Sequence, residues 1–246
     1  MKQGQARALA LAALVGSWLF TIDWLVAPLW QDHYRVLDEF VSEMGGATAN
    51  HPWIMNAGLL LWGVAILCAA GALYAVLPRD RWRAPIIVTL TAAGLTMAFA
   101  AFATMDCFTS VNHACYERWL HGRDSWHEAA HTWAAFAFGI CIALSALAVA
   151  GFLRSRGRGR LALIPAVGGM LGLAWMILGQ FSTPHFEPHG HFGLYQRIEI
   201  LAATGWTQWL AGGVLIWLDE GRARRRGRPS TAPPTWSAAR PTRPSA

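Results

Sequence analysis

Six stretches of near twenty apolar residues divide this chain, and that length crosses a bilayer core of about 30 Å at ~1.5 Å per helical residue. They run roughly Ala8–Leu29, Trp53–Leu77, Pro85–Met105, His127–Leu153, Leu161–Phe181 and Gly193–Leu218. Lipid offers backbone N–H and C=O groups no partner, so segments of this kind are helical. The expected fold is therefore all-α, a polytopic integral membrane bundle of about six transmembrane helices. Residues 1–220 form the transmembrane domain. Residues 221–246, rich in Arg, Pro, Ser and Thr, form a disordered basic tail. The polar connection from Trp30 to Pro52 has room for a short helix. The first apolar run lacks a small-residue cleavage site in the right place, so it reads as a retained helix rather than a signal peptide.

Charge supports the same class. Only 14% of residues are charged, against about 25% in a typical soluble domain. The 14 tryptophans suit a chain with two membrane–water interfaces. The net charge of +6 does not indicate nucleic acid, because the arginines sit in short clusters between apolar runs. All but four of the 20 Lys and Arg lie before the first run, between runs two and three, between runs four and five, or after run six. The exceptions are Arg35, Arg118, Arg123 and Arg197. The positive-inside rule puts the clusters in the cytoplasm and, with an even number of spans, both termini as well. The expected location is the cell membrane, with membrane lipids as partners.

The 9 histidines are distributed the opposite way: every one falls in an extracytoplasmic loop or at that end of a run. The sharpest pattern among them is His127-Glu128-Ala129-Ala130-His131. It matches H-E-x-x-H, in which two His one turn apart bind zinc and Glu is the general base. The overlapping Ser125-Trp126-His127-Glu128 also reads as a capping box ahead of an apolar run. A zinc site needs a third ligand and an open position for water. Asp106, at the end of the third run, and His185, in the loop between runs five and six, are the candidates. Glu128 or Glu43 would move the proton. Cys107 and Cys115, with seven residues between them, suit a disulfide in an oxidising compartment or thiolate ligation. Asp23 in run one and Arg197 entering run six are charges at costly depth. Arg197 pairs with Asp23 or Glu199, or holds an anionic headgroup.

Several short motifs resemble a known family. Ser42-Glu43-Met44-Gly45-Gly46, Pro52-Trp53-Ile54-Met55-Asn56-Ala57-Gly58, Asp106-Cys107 and Gly193-Leu194-Tyr195-Gln196-Arg197 resemble the pattern of the membrane family catalogued as domain of unknown function 998, over roughly residues 10–218. The resemblance implies a compact six-helix bundle in a bacterial-type inner membrane, and no activity. The chain departs from the pattern by Met44 where Leu is usual and by longer, His-rich loops. Ser42, Asp106, His127 and His131 also offer the residue types of alkaline-ceramidase-type membrane hydrolases. Those enzymes have seven spans and another motif order, so the likeness is one of chemistry alone.

Two kinds of function follow. One is a zinc-dependent hydrolase at the outer leaflet, with the metal held by His127, His131 and Asp106 or His185. The other is a non-catalytic bundle that binds lipid, senses pH or assists a membrane complex. A small transporter fits less well, because no run shows the Gly/Pro break with charges expected of a midplane site.

Overall fold

The computed structural model describes residues 3–181 and 190–225, with side chains for all of these but 175–181 and 223–225. The described residues are helical and contain no strand. The helices are α1 (Gln3–Val26), α2 (Pro52–Val76), α3 (Arg83–Ala100), α4 (His113–Leu120), α5 (Trp126–Ser155), α6 (Gly159–Phe181) and α7 (Phe192–Arg225). Short 3₁₀ turns cover Ala27–Trp30 and Val41–Gly45.

Four segments are long and apolar enough to cross a membrane: Gln3–Trp30, Pro52–Val76, Arg83–Ala100 and Trp126–Ser155. Their outward residues are apolar too: Val15, Trp18, Ile22, Leu25, Val88 and Leu95 are each about half exposed or more. A soluble bundle would bear polar groups there. The apolar described part of α6 is shorter, Gly159–Ala174. Helix α7 carries Arg197 and Glu199 near its start and continues to Arg225, past the expected beginning of the tail; residues 226–246 lie outside the described residues.

Packing follows chain order: α1 lies on α2 and α7, α2 on α3, α3 on α5, and α5 on α6. An aromatic column marks the centre, with Phe20 stacked on Trp62 at 4.5 Å and Trp62 edge-on to Phe138 at 4.9 Å. Where α2 crosses α3, a Cβ on Gly63 would stand 2.6 Å from the Ala98 backbone nitrogen, so the close approach requires glycine.

The basic clusters gather at one end of the bundle. Arg7 pairs with Asp219, and Arg156 with Asp80 at 2.6 Å. The motif residues gather at the other end. There α3 stops at Ala100 rather than at the expected Met105, because the chain beyond it turns across the bundle to bond elsewhere. Met105 accepts the Ala47 N–H at 2.8 Å, and the Asp106 N–H goes to Glu128 at 3.1 Å. The following loop holds α4, a helix not anticipated from the sequence; Asn112 caps it by accepting the Cys115 N–H.

Candidate functional site

Two structures meet at the motif end, a polar cap and a pair of cavities beneath it. The cap begins with Glu43, which is wholly buried in the turn Val41–Gly45. One carboxylate oxygen accepts the Ser110 N–H at 2.8 Å and the Thr109 hydroxyl at 3.1 Å. The other accepts the Ser110 hydroxyl at 2.5 Å and the Phe40 N–H at 2.9 Å. Burial nevertheless wins over these four donors and pushes the Glu43 carboxyl up to about 7. Glu43, one of the two carboxylates expected to move a proton, joins the 40–46 turn to the loop before α4.

Asp106 and the start of α5 form a second knot. Asp106 accepts the Ser125 N–H at 2.9 Å and the Ser125 hydroxyl at 2.6 Å. The Ser125 oxygen in turn caps α5 by accepting the Glu128 N–H at 3.3 Å. The capping expectation is thus met at Ser125, but Asp106, not Glu128, takes the Ser125 N–H. Glu128 reaches the Asp106 N–H instead. Burial raises the Asp106 carboxyl, but the Ser125 hydrogen bonds and the Arg118 charge outweigh it, and the net shift is downward.

The two histidines of the H-E-x-x-H stretch do different things. His131 is buried, and its Nδ1 lies 2.7 Å from the Ala103 carbonyl and 3.2 Å from that of Ala100. These carbonyls lie at the last residue of α3 and three residues beyond it, where helix geometry leaves acceptors unused. Nδ1 therefore carries the proton and the lone pair sits on Nε2. His127 stacks on Trp126 at 3.7 Å, and its Nδ1 is buried without a hydrogen-bond partner, as is Glu128 Oε1. Among the described residues no three His, Cys, Asp or Glu side chains form a metal-ligand set. His185 lies outside the described residues. Cys107 and Cys115 are joined sulfur to sulfur, with Cα atoms 6.2 Å apart.

Arg197 is buried and pairs with neither Asp23 nor Glu199. It donates to the carbonyls of Val36, Glu39 (3.3 Å) and Gly193 (3.0 Å) and to the Tyr34 hydroxyl (3.0 Å). The neighbouring Gln196 accepts the Val41 N–H at 2.5 Å and donates to the Ser42 hydroxyl at 3.2 Å. Gly193 is required there, since a Cβ would stand 2.3 Å from the Glu39 carbonyl. The start of α7 thus clamps the 34–46 segment, and Asn56 holds the same segment through the Gly45 carbonyl at 3.0 Å. The separate sequence motifs therefore form one spatial unit. Their pairing was not legible in the sequence, although each motif was. Asp23, in α1, has a carboxylate oxygen buried against Gly58 without a hydrogen-bond partner.

Below the cap lies a cavity of about 80 Å³ walled by residues that include Ser42, Trp62, His131, Gln196 and Glu199. A larger one, about 320 Å³, lies between α5, α6 and α7. Both share Phe138 and Glu199 in their walls. Among the described residues the wall of the larger is apolar except for Glu199, and it is lined by Gly168, Gly172, Trp206 and Trp209 among others. Its wall residues Ile164, Ala202 and Gly205 are exposed, so it reaches the flank of the bundle. Trp206 braces one wall by donating to Ser145 on α5 at 2.9 Å. No sequence motif marked this cavity; the glycine spacing in run five and Glu199, an acidic residue inside run six, were the available signals.

No curated protein and no solved structure matches the chain. A family model described as "Protein of unknown function (DUF998)" matches residues 13–213, which takes in the cap motifs and nearly all of the cavity-bearing helices. The chain therefore belongs to the DUF998 family.

Proposed function

We propose that this protein is a non-catalytic, six-span membrane bundle that binds an alkyl-chain ligand from the bilayer in the cavity between α5, α6 and α7. The observation that carries the reading is the cavity itself. Its volume of about 320 Å³ falls in the ~300–1,000 Å³ range of small-molecule sites, and its walls are mostly apolar, as such sites are. The cap residues favour the same reading, since Glu43, Asp106 and Arg197 spend their polar atoms on holding loops and helix ends. In this reading α6 and α7 are the fifth and sixth spans. The basic end and both termini face the cytoplasm, and the cap, with a Cys107–Cys115 disulfide, faces the oxidising side.

The test is photolabelling of the purified full chain with a neutral long-chain alcohol carrying a mid-chain diazirine. Labelled peptides should come from α5, α6 and α7. Gly168→Leu and Gly172→Leu should abolish that labelling, because a Cβ at either glycine meets nothing within 4 Å and a larger side chain fills the space. Labelling spread evenly over all lipid-facing helices, unchanged in the leucine variants, would refute the reading.

A zinc-hydrolase reading draws on one observation, the unpartnered Nδ1 of His127 four residues before His131. It lacks a third ligand among the described residues. Zinc content of the purified protein, compared with His127→Ala/His131→Ala, decides it. Near-stoichiometric metal lost in the double variant would favour it over lipid binding alone.

A further inference from the structure

We infer that the ligand of the α5–α6–α7 cavity is a single-chain amphiphile with a cationic amine head, its ammonium at Glu199 and its chain along Trp206 and Trp209. The inference rests on the lipid-binding reading and names the ligand class within it.

Charge decides the head. Among the described residues, Glu199 is the only ionisable one in the wall of the larger cavity. Among the described residues it has no salt-bridge partner within 4.0 Å, whereas Arg197, two positions away, is taken up by Tyr34 and three carbonyls. A carboxylate among apolar walls at membrane depth is costly without a counter-charge. An anionic head would add like-charge repulsion, and beside a neutral one the carboxylate sheds that cost only by taking up a proton. An ammonium supplies the charge and has N–H donors to spare. A further acceptor is at hand, because His131 lines the adjoining cavity with Nδ1 already committed and its lone pair on Nε2. Gln196 and Ser42, the other polar groups there, bond to each other at 3.2 Å.

Geometry decides the chain. Glu199 and Trp206 are seven residues apart, two turns along one face of α7, and Trp209 stacks against Trp206 at 5.2 Å. From Glu199 to Trp209 is about 15 Å along the helix, the reach of an extended chain of about a dozen carbons. The cavity's ~320 Å³ lies at the bottom of the small-molecule range, which suits one chain and not two.

The experiment compares three diazirine probes of equal chain length, an amine, an alcohol and a carboxylic acid, on the full chain in detergent. The amine should label the cavity peptides about tenfold more than the alcohol at equal concentration, the gain of one charge-assisted contact. The acid should label least. Glu199→Gln should bring the amine down to the alcohol's level within that variant, and unchanged far-UV circular dichroism and gel-filtration elution report that it is folded. Equal labelling by amine and alcohol in the wild-type protein would overturn the head-group assignment while leaving the cavity reading intact, and so would an amine preference that survives Glu199→Gln. If none of the three probes labels the cavity, the lipid-binding reading fails and takes this inference with it.

Discussion

Asp106 accepts both the backbone N–H and the hydroxyl of Ser125, at 2.9 and 2.6 Å, and so takes the place that a helix's own third residue fills in a capping box. The consequence is that the start of α5 is fastened to the loop after α3 rather than to itself. Ser125→Ala removes the cap and one acceptor–donor pair, and should destabilise the protein by about 1–2 kcal/mol. Asp106→Asn should cost a similar amount. Because the two residues share their bonds, the double variant should cost little more than either single one. Thermal unfolding of the three variants in detergent checks this; additive losses would show that the residues act independently.

Glu43 makes stability pH-dependent. Its folded carboxyl lies at about 7, above the ~4.3 of an unfolded chain. The folded state therefore binds the extra proton between these values. The Glu43 contribution is fully present below about pH 4.3 and is lost as pH rises through about 7, a change on the order of 3 kcal/mol. Glu43→Gln does not titrate, so its stability should fall less over the same interval. Parallel pH curves for the two proteins would contradict the assignment.

Arg197 should not tolerate Lys. A guanidinium reaches Tyr34 and three carbonyls from one fixed plane, while an ammonium on a flexible stem cannot match that fork. Arg197→Lys should cost about 2–3 kcal/mol and free the 34–46 segment from α7. Hydrogen exchange should rise there first, at Val41 and Ser42, whose N–H groups depend on Gln196. Uniform exchange across the bundle would instead mean global unfolding.

The Cys107–Cys115 bridge closes a short loop over the cap. Cys107→Ser/Cys115→Ser should lower stability by about 2 kcal/mol under oxidising conditions. It should also remove the difference in melting temperature between reduced and oxidised protein. A reductant effect that persists in the double variant would place the sensitive thiol elsewhere, at Cys68 or Cys141.

The sequence by itself determined the long apolar helices α1, α2, α3 and α5, because apolar length and the needs of an unpaired backbone in lipid are local properties. It also determined which stretches were unusual: the Ser42–Gly46 motif, Asp106, His127 to His131, and the Gly193–Arg197 motif. It could not decide what those residues touch. Glu43 stood out as a carboxylate, but its partners Phe40, Thr109 and Ser110 are set by the fold. Arg197 looked like a partner for Asp23 or Glu199 and clamps the 34–46 segment through Tyr34 and backbone carbonyls. Hydrogen-bond partners more than a hundred residues apart, such as Gln196 and Val41, leave no local periodicity to read. The cavity is a decision of tertiary structure for the same reason. It exists because glycines of α6 face small residues of α5 and the Glu199 carboxylate of α7, and space between three helices is a property of their packing that no one segment encodes.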